Sequence, residues 1–141
     1  MRKHRLIKPV VILLLIILLA VLCTNCVKRT YKSYLGLRPC DNPGTQWVSE
    51  DGNVSFHISE SGYGTGVLYT SAQFINIHVS FDMAVGINLY YAEDFHNNAR
   101  TGFPFETWEG DYTSDQSFVA TVIKSTYFDV GDEIEFYRVS N

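Results

Sequence analysis

Beyond residue 45 the chain alternates apolar and polar positions with a period of two. Val54, Phe56 and Ile58 alternate with Ser55, His57 and Ser59; Ile75, Ile77, Val79 and Phe81 with Asn76, His78 and Ser80; Val85, Ile87, Leu89 and Tyr91 with Gly86, Asn88 and Tyr90. Successive side chains of a strand point to opposite faces, so each run predicts a strand with one buried face. Phe118 to Ile123 and Ile134 to Val139 predict two more, Trp47 and Val48 another, and Gly66 to Thr70 a further one. Turn formers lie between them at Glu50-Asp51-Gly52-Asn53, Ser61-Gly62-Tyr63-Gly64, Phe81-Asp82-Met83-Ala84 and Val130-Gly131-Asp132. Short strands about ten residues apart, with no helical stretch after Val27, predict an all-β fold: a small antiparallel meander of about 7–8 strands forming a barrel or sandwich. Its core is expected to hold Trp47, Val54, Phe56, Ile58, Ile77, Val79, Ile87, Leu89, Phe118, Ile134 and Phe136.

The N-terminal pattern is different in kind. No charge falls between Lys8 and Lys28, and Val10 to Leu22 is an unbroken apolar run preceded by Arg2, Lys3, Arg5 and Lys8. An isolated apolar helix cannot be solvated, so this predicts one N-terminal helix that serves export or anchoring. At about 1.5 Å per residue the run covers roughly 20 Å, short of a hydrocarbon core of about 30 Å, while Pro9 to Val27 reaches roughly 28 Å. Three endings stay open: a cleaved signal peptide, a retained transmembrane helix, and a lipoprotein attached through Cys26, which comes after the small residues Thr24 and Asn25. The basic bias keeps the N-terminus inside and places the remainder of the chain on the extracytoplasmic side of the cell membrane, or releases it. The expected organisation is a signal or anchor segment over residues 1–27, a basic linker over 28–38 that lies near anionic headgroups, and a β-barrel domain over 39–141.

Charge narrows the partners. From Pro39 onward only Arg100, Lys124 and Arg138 oppose all fifteen Asp and Glu, a net charge of −12. Such a domain repels polyphosphate, so nucleic acid is excluded as a partner. Cys40 is the one cysteine past Cys26, so no disulfide framework supports the fold and its core must do so.

The alternation breaks from Ala92 to Asp115, and a long irregular stretch in a small domain is where binding residues concentrate. It contains the ligand or partner candidates Arg100, Phe103, Phe105 and Trp108. Arg100 either neutralises Glu93, Asp94 or Glu106 or receives an anionic group; the aromatics from Phe103 to Tyr112 either meet a ligand or lead into a strand and plug one end of the barrel. His57 and His78 fall on polar strand faces. In a meander one strand separates them, which puts them about 10 Å apart, so they read as exposed strand histidines and not as ligands of one ion. Asp129, Asp132, Glu133 and Glu135 lack the spacing of a calcium loop and suit a turn and a solvated face. Gly62, Gly64 and Gly66 lack the Lys and helix of a phosphate cradle, and no serine sits in a nucleophile elbow. No catalytic residue, metal site or cofactor is expected.

The stretch Arg38-Pro39-Cys40-Asp41-Asn42-Pro43-Gly44-Thr45-Gln46-Trp47-Val48-Ser49-Glu50-Asp51-Gly52 and the ending Ser125-Thr126-Tyr127-Phe128-Asp129-Val130-Gly131-Asp132-Glu133-Ile134-Glu135-Phe136-Tyr137-Arg138 resemble the two ends of an uncharacterised family of small exported or lipid-anchored proteins from Gram-positive bacteria. The resemblance implies an eight-stranded or similar β-barrel at the cell envelope and carries over no functional residue. The reading that results is a non-catalytic binding or interaction module of the cell envelope, held at the membrane through its N-terminal segment and taking an envelope component or small molecule as ligand. The alternative is an extracytoplasmic hydrolase whose site is assembled from dispersed residues. A pocket where His converges with Asp or Glu favours the enzyme; an apolar lumen or a flat acidic face favours the module.

Overall fold

The computed structural model describes residues 11–21, 34–82, 84–96, 99–100 and 102–140, with backbone only at 96, 99 and 100. Two compact units result, Met1–Ser33 and Tyr34–Asn141. In the first, residues 11–21 form an α-helix. Eleven residues rise about 16 Å against a hydrocarbon core of about 30 Å, and no helix among the described residues is long and apolar enough to cross a membrane. Cys26 lies outside the described residues.

The second unit is a closed antiparallel barrel. Its strands are β1 (Gln46–Ser49), β2 (Val54–Ile58), β3 (Gly64–Tyr69), β4 (Phe74–Phe81), β5 (Gly86–Tyr91), β8 (Glu106–Asp111), β9 (Ser117–Lys124) and β10 (Glu133–Arg138), in the cyclic order β1-β10-β9-β8-β5-β4-β3-β2. β6 (Phe95–His96) and β7 (Ala99–Arg100) pair only with each other. The eight barrel strands run up and down in chain order, the meander that the alternation predicts, and closure leaves β1 and β10 without a free edge.

All eleven expected core residues are buried. Their rings fill the interior: Phe118 stacks on Phe136 at 4.8 Å, Trp47 meets Phe118 at 5.3 Å, and Phe56 and Trp108 lie 5.6 and 6.0 Å from Phe136. Two inward glycines make room. Gly66 sits between Phe56 and Ile77 in one cross-barrel row, and a Cβ there would fall 1.8 Å from the Ser55 carbonyl oxygen. Gly110 leaves space for the Tyr112 ring, which a Cβ would meet at 2.4 Å.

The barrel unit starts at Tyr34, before the expected boundary at Pro39. Arg38 is not a solvated linker residue. Its Nε and Nη2 donate to the two Asp41 carboxylate oxygens at 3.0 and 2.9 Å, and its Nη1 donates to the Asp82 carbonyl at 3.1 Å. A bidentate guanidinium–carboxylate pair fixes direction as well as charge. Tyr34 packs edge-on against Tyr112 at 5.5 Å, and Leu37 packs on the core, so residues 34–45 close the end of the barrel at which the chain arrives. The opposite, distal end carries the turns after β1, β3 and β9 and the connection from β5 to β8.

Candidate functional site

That connection is shorter and more ordered than the irregular stretch expected from Ala92 to Asp115. Residues 106–111 are strand β8, with Glu106, Trp108 and Gly110 facing inward. Residues 92–105 make a single 3-10 turn at Ala92–Asp94, the β6–β7 hairpin, and a return past Gly102. The 3-10 turn continues alongside β4, and Phe95 after it returns over the outside of that strand to stack on His78.

The four ligand candidates separate. Trp108 is 1% exposed inside the barrel and is a core residue. Phe105 is buried at the distal end, stacked on Tyr91 at 4.3 Å and edge-on to Tyr127 at 5.8 Å. With Tyr112 also buried, the aromatics from Phe105 onward plug the barrel and are covered from any ligand. Phe103, in contrast, is 91% exposed. Arg100 lies opposite Phe95 in the β6–β7 pair, and its side chain falls outside the described residues.

The distal plug is held by a residue whose role the sequence does not announce. Glu106 is fully buried. One carboxylate oxygen, Oε1, accepts from the Ser125 hydroxyl at 2.8 Å and from the Thr126 and Tyr127 amides at 2.8 and 3.1 Å; Oε2 accepts from the Trp108 indole N–H at 3.0 Å. The carboxylate thus clamps the β9–β10 turn onto β8 through four acceptor bonds. The one signal that could have found it is spacing: Glu106, Trp108, Gly110 and Tyr112 share one period-two face. Beside it the Tyr91 and Tyr127 hydroxyls lie 3.2 Å apart, and their hydrogen bond, with burial, pushes the Tyr91 phenol up to about 12.

The histidines also differ from expectation. His57 is exposed, and the register row His57, Thr65, His78 confirms that β3 separates the pair. His78, read as an exposed strand histidine, is only 8% exposed. The Phe95 ring lies over its imidazole at 3.5 Å and 18°, with Tyr63 at 5.2 Å, and Tyr90, beside His78 on β5, meets Phe95 edge-on at 5.5 Å. Its Nε2 is buried without a hydrogen-bond partner among the described residues, and burial lowers its pKa. Nothing in the polar position of His78 announces this, because the covering ring comes from a segment fourteen or more residues later.

Two adjoining grooves flank the folded-back segment. One, of about 480 Å³, is lined by Thr65, Asn76, His78, Ala92 and Phe95 among others; the second, of about 400 Å³, shares Asn76 and Ala92 and reaches Gln73, Phe74 and Glu93. The carboxylates gather elsewhere. Glu109 and Glu133 flank Thr121 in one outer row, and Asp111 and Glu135 flank Val119 in the next, an acidic face across β8, β9 and β10. Asp132 belongs to the turn before β10, where its carboxylate accepts from the Asp129 amide at 3.2 Å. Among the described residues no group of three or more His, Cys, Asp and Glu is arranged to hold a metal ion. No family model matches the chain, and neither a curated protein nor a solved structure matches it.

Proposed function

We propose that this protein is a non-catalytic binding module of the cell envelope, displayed on the extracytoplasmic side by its N-terminal apolar segment, and that its binding surface is the outer barrel wall beside residues 92–105. The observation that carries the reading is the folding back of the Ala92–Phe95 segment onto β4. An up-and-down barrel needs only a short connection between neighbouring strands, yet here 14 residues separate β5 from β8, and Ala92, Glu93 and Phe95 among them line grooves on the outer wall. The filled interior supports an outer site, since ring contacts occupy the space that a lumen ligand would need. Among the described residues Glu93 is the one carboxylate lining the two grooves, in the one that His78 does not line, while the other acidic residues spread over a separate face; this separation favours the module over a hydrolase. Arg2, Lys3, Arg5 and Lys8 ahead of the apolar run support the placement outside, whether the segment is cleaved, retained or lipidated at Cys26.

The test is a deletion. Excising residues 92–102, the wall of both grooves that lies outside the meander, and bridging the gap with two glycines is expected to leave the melting transition of the barrel in place while abolishing co-sedimentation of the protein with purified cell-wall sacculi. Binding that survives the excision at full strength contradicts the placement of the surface.

A further inference from the structure

We infer that the trough along the outside of β4 is a binding site for a neutral oligosaccharide; this rests on the reading of the protein as a binding module and names its ligand class. Phe74, Asn76 and His78 are the first three outward positions of β4, at successive two-residue steps, so they form a line about 13 Å long. The Ala92–Phe95 segment is the second wall, and Asn76 with Ala92 joins the two grooves into one trough.

The chemistry along that line suits a sugar. A pyranose offers apolar C–H faces and hydroxyls that both donate and accept, so its site needs an uncovered aromatic ring beside amide and hydroxyl groups on a rigid support. Phe74 supplies the ring: it is 65% exposed and opposite Tyr69 in register, which is 51% exposed, so two exposed aromatic residues occupy neighbouring positions on the outer face. The amides are those of Gln73 and Asn76, and the hydroxyl is that of Thr65, next to His78 in its register row. At the inner end is the independent observation that a ligand belongs here. The His78 Nε2, in a side chain more than nine-tenths buried, has no partner among the described residues, and a buried polar atom without one is costly. A sugar hydroxyl seated at this end of the trough, of which His78 is a lining residue, is the partner that nitrogen lacks.

Charge and topology disfavour the competing classes. The trough offers no cation to a phosphate or carboxylate, since among the described residues Glu93 is the single acidic or basic group lining it besides His78. An extended peptide finds little strand edge to add to, because β4 is paired with β3 over residues 74–79 and with β5 over residues 77–81, which leaves only residues 74–76 unpaired on the β5 side.

The test uses the full chain in detergent micelles and two probes, the β-1,4-linked tetramers of N-acetylglucosamine and of glucose, in calorimetric titrations. One of them is expected to bind saturably. Phe74→Ala and Asn76→Ala, both at exposed positions, are each expected to weaken it by about tenfold or more, and Thr121→Ala on the opposite wall to leave it unchanged. Absence of saturable binding to both tetramers, or binding that both trough variants leave intact, overturns the assignment. Co-sedimentation with sacculi that persists under saturating tetramer also overturns the glycan class while leaving the module reading in place; no co-sedimentation and no tetramer binding overturns both.

Discussion

Removing the Glu106 carboxylate is expected to cost about 3–5 kcal/mol, because it leaves four hydrogen-bond donors without their acceptor, at about 1–3 kcal/mol for each that stays buried. Four donors converge on this one side chain. In Glu106→Ala the Ser125 hydroxyl and the Thr126 and Tyr127 amides are part-buried and regain some hydration, which limits their loss. The Trp108 indole N–H is deep in the core and regains none, which alone costs about 1–3 kcal/mol. In a domain of this size each kcal/mol lowers the melting temperature by about 4 °C or more, so the alanine variant should melt some 10–20 °C below wild type. Glu106→Gln separates acceptor loss from volume loss. Its amide oxygen can serve the turn, but its NH₂ group then faces the Trp108 N–H, donor against donor. In the Trp108→Phe background that opposition is absent, so the glutamine substitution should cost less there, by about 1 kcal/mol or more in a double-mutant cycle. Thermal unfolding followed by circular dichroism measures all four variants. An alanine variant that melts within error of wild type, or a glutamine cost that is the same in both backgrounds, refutes the clamp.

Gly66→Ala should prevent cooperative folding, because the new methyl carbon meets main chain 1.8 Å from the Ser55 oxygen and 2.6 Å from the Phe56 Cα, where neither can yield; a wild-type melting curve refutes the close approach. His78 is held neutral by burial, so its folded pKa is below the unfolded value of about 6.5 and the unfolded chain takes up the proton first. Stability should therefore fall as pH drops below about 6.5, and His78→Phe should flatten that part of the profile; equal slopes for wild type and variant between pH 7 and 5 refute the burial. Burial pushes the Cys40 thiol up to about 11 despite the opposing effect of Arg38, so native Cys40 should be alkylated at pH 8 at least about tenfold more slowly than in the unfolded chain, as mapped by mass spectrometry; equal rates refute it.

The inner face of the barrel was legible because burial on one side of a strand writes a period of two into the chain, and the core residues from Trp47 to Phe136 all obey it. β8 obeys the same rule, but Glu106 at the first inward position and Gly110 at the third interrupt the apolar series, so the strand reads as loop and Trp108 as a ligand candidate. Both residues are inward for reasons that lie elsewhere: Glu106 answers donors on the β9–β10 turn, and Gly110 makes room for Tyr112. The segment 34–38 reads as linker because its charge is local and visible, whereas its partner in the fold, the carbonyl of Asp82, is a backbone group with no sequence signature. The candidate site was legible only in outline. Departure from alternation marks where the chain leaves the barrel, but not that Phe95 returns to cover His78 and Tyr90, since outer-face contacts impose no period.

The claim that binding occurs on the outer wall beside the folded-back segment is tested most directly by hydrogen–deuterium exchange of the full chain with and without purified sacculi. The expected result is added protection in peptides covering residues 74–78 and 92–96, with the acidic face on β8, β9 and β10 unchanged. Protection confined to β8, β9 and β10, or no change anywhere in the barrel, contradicts it.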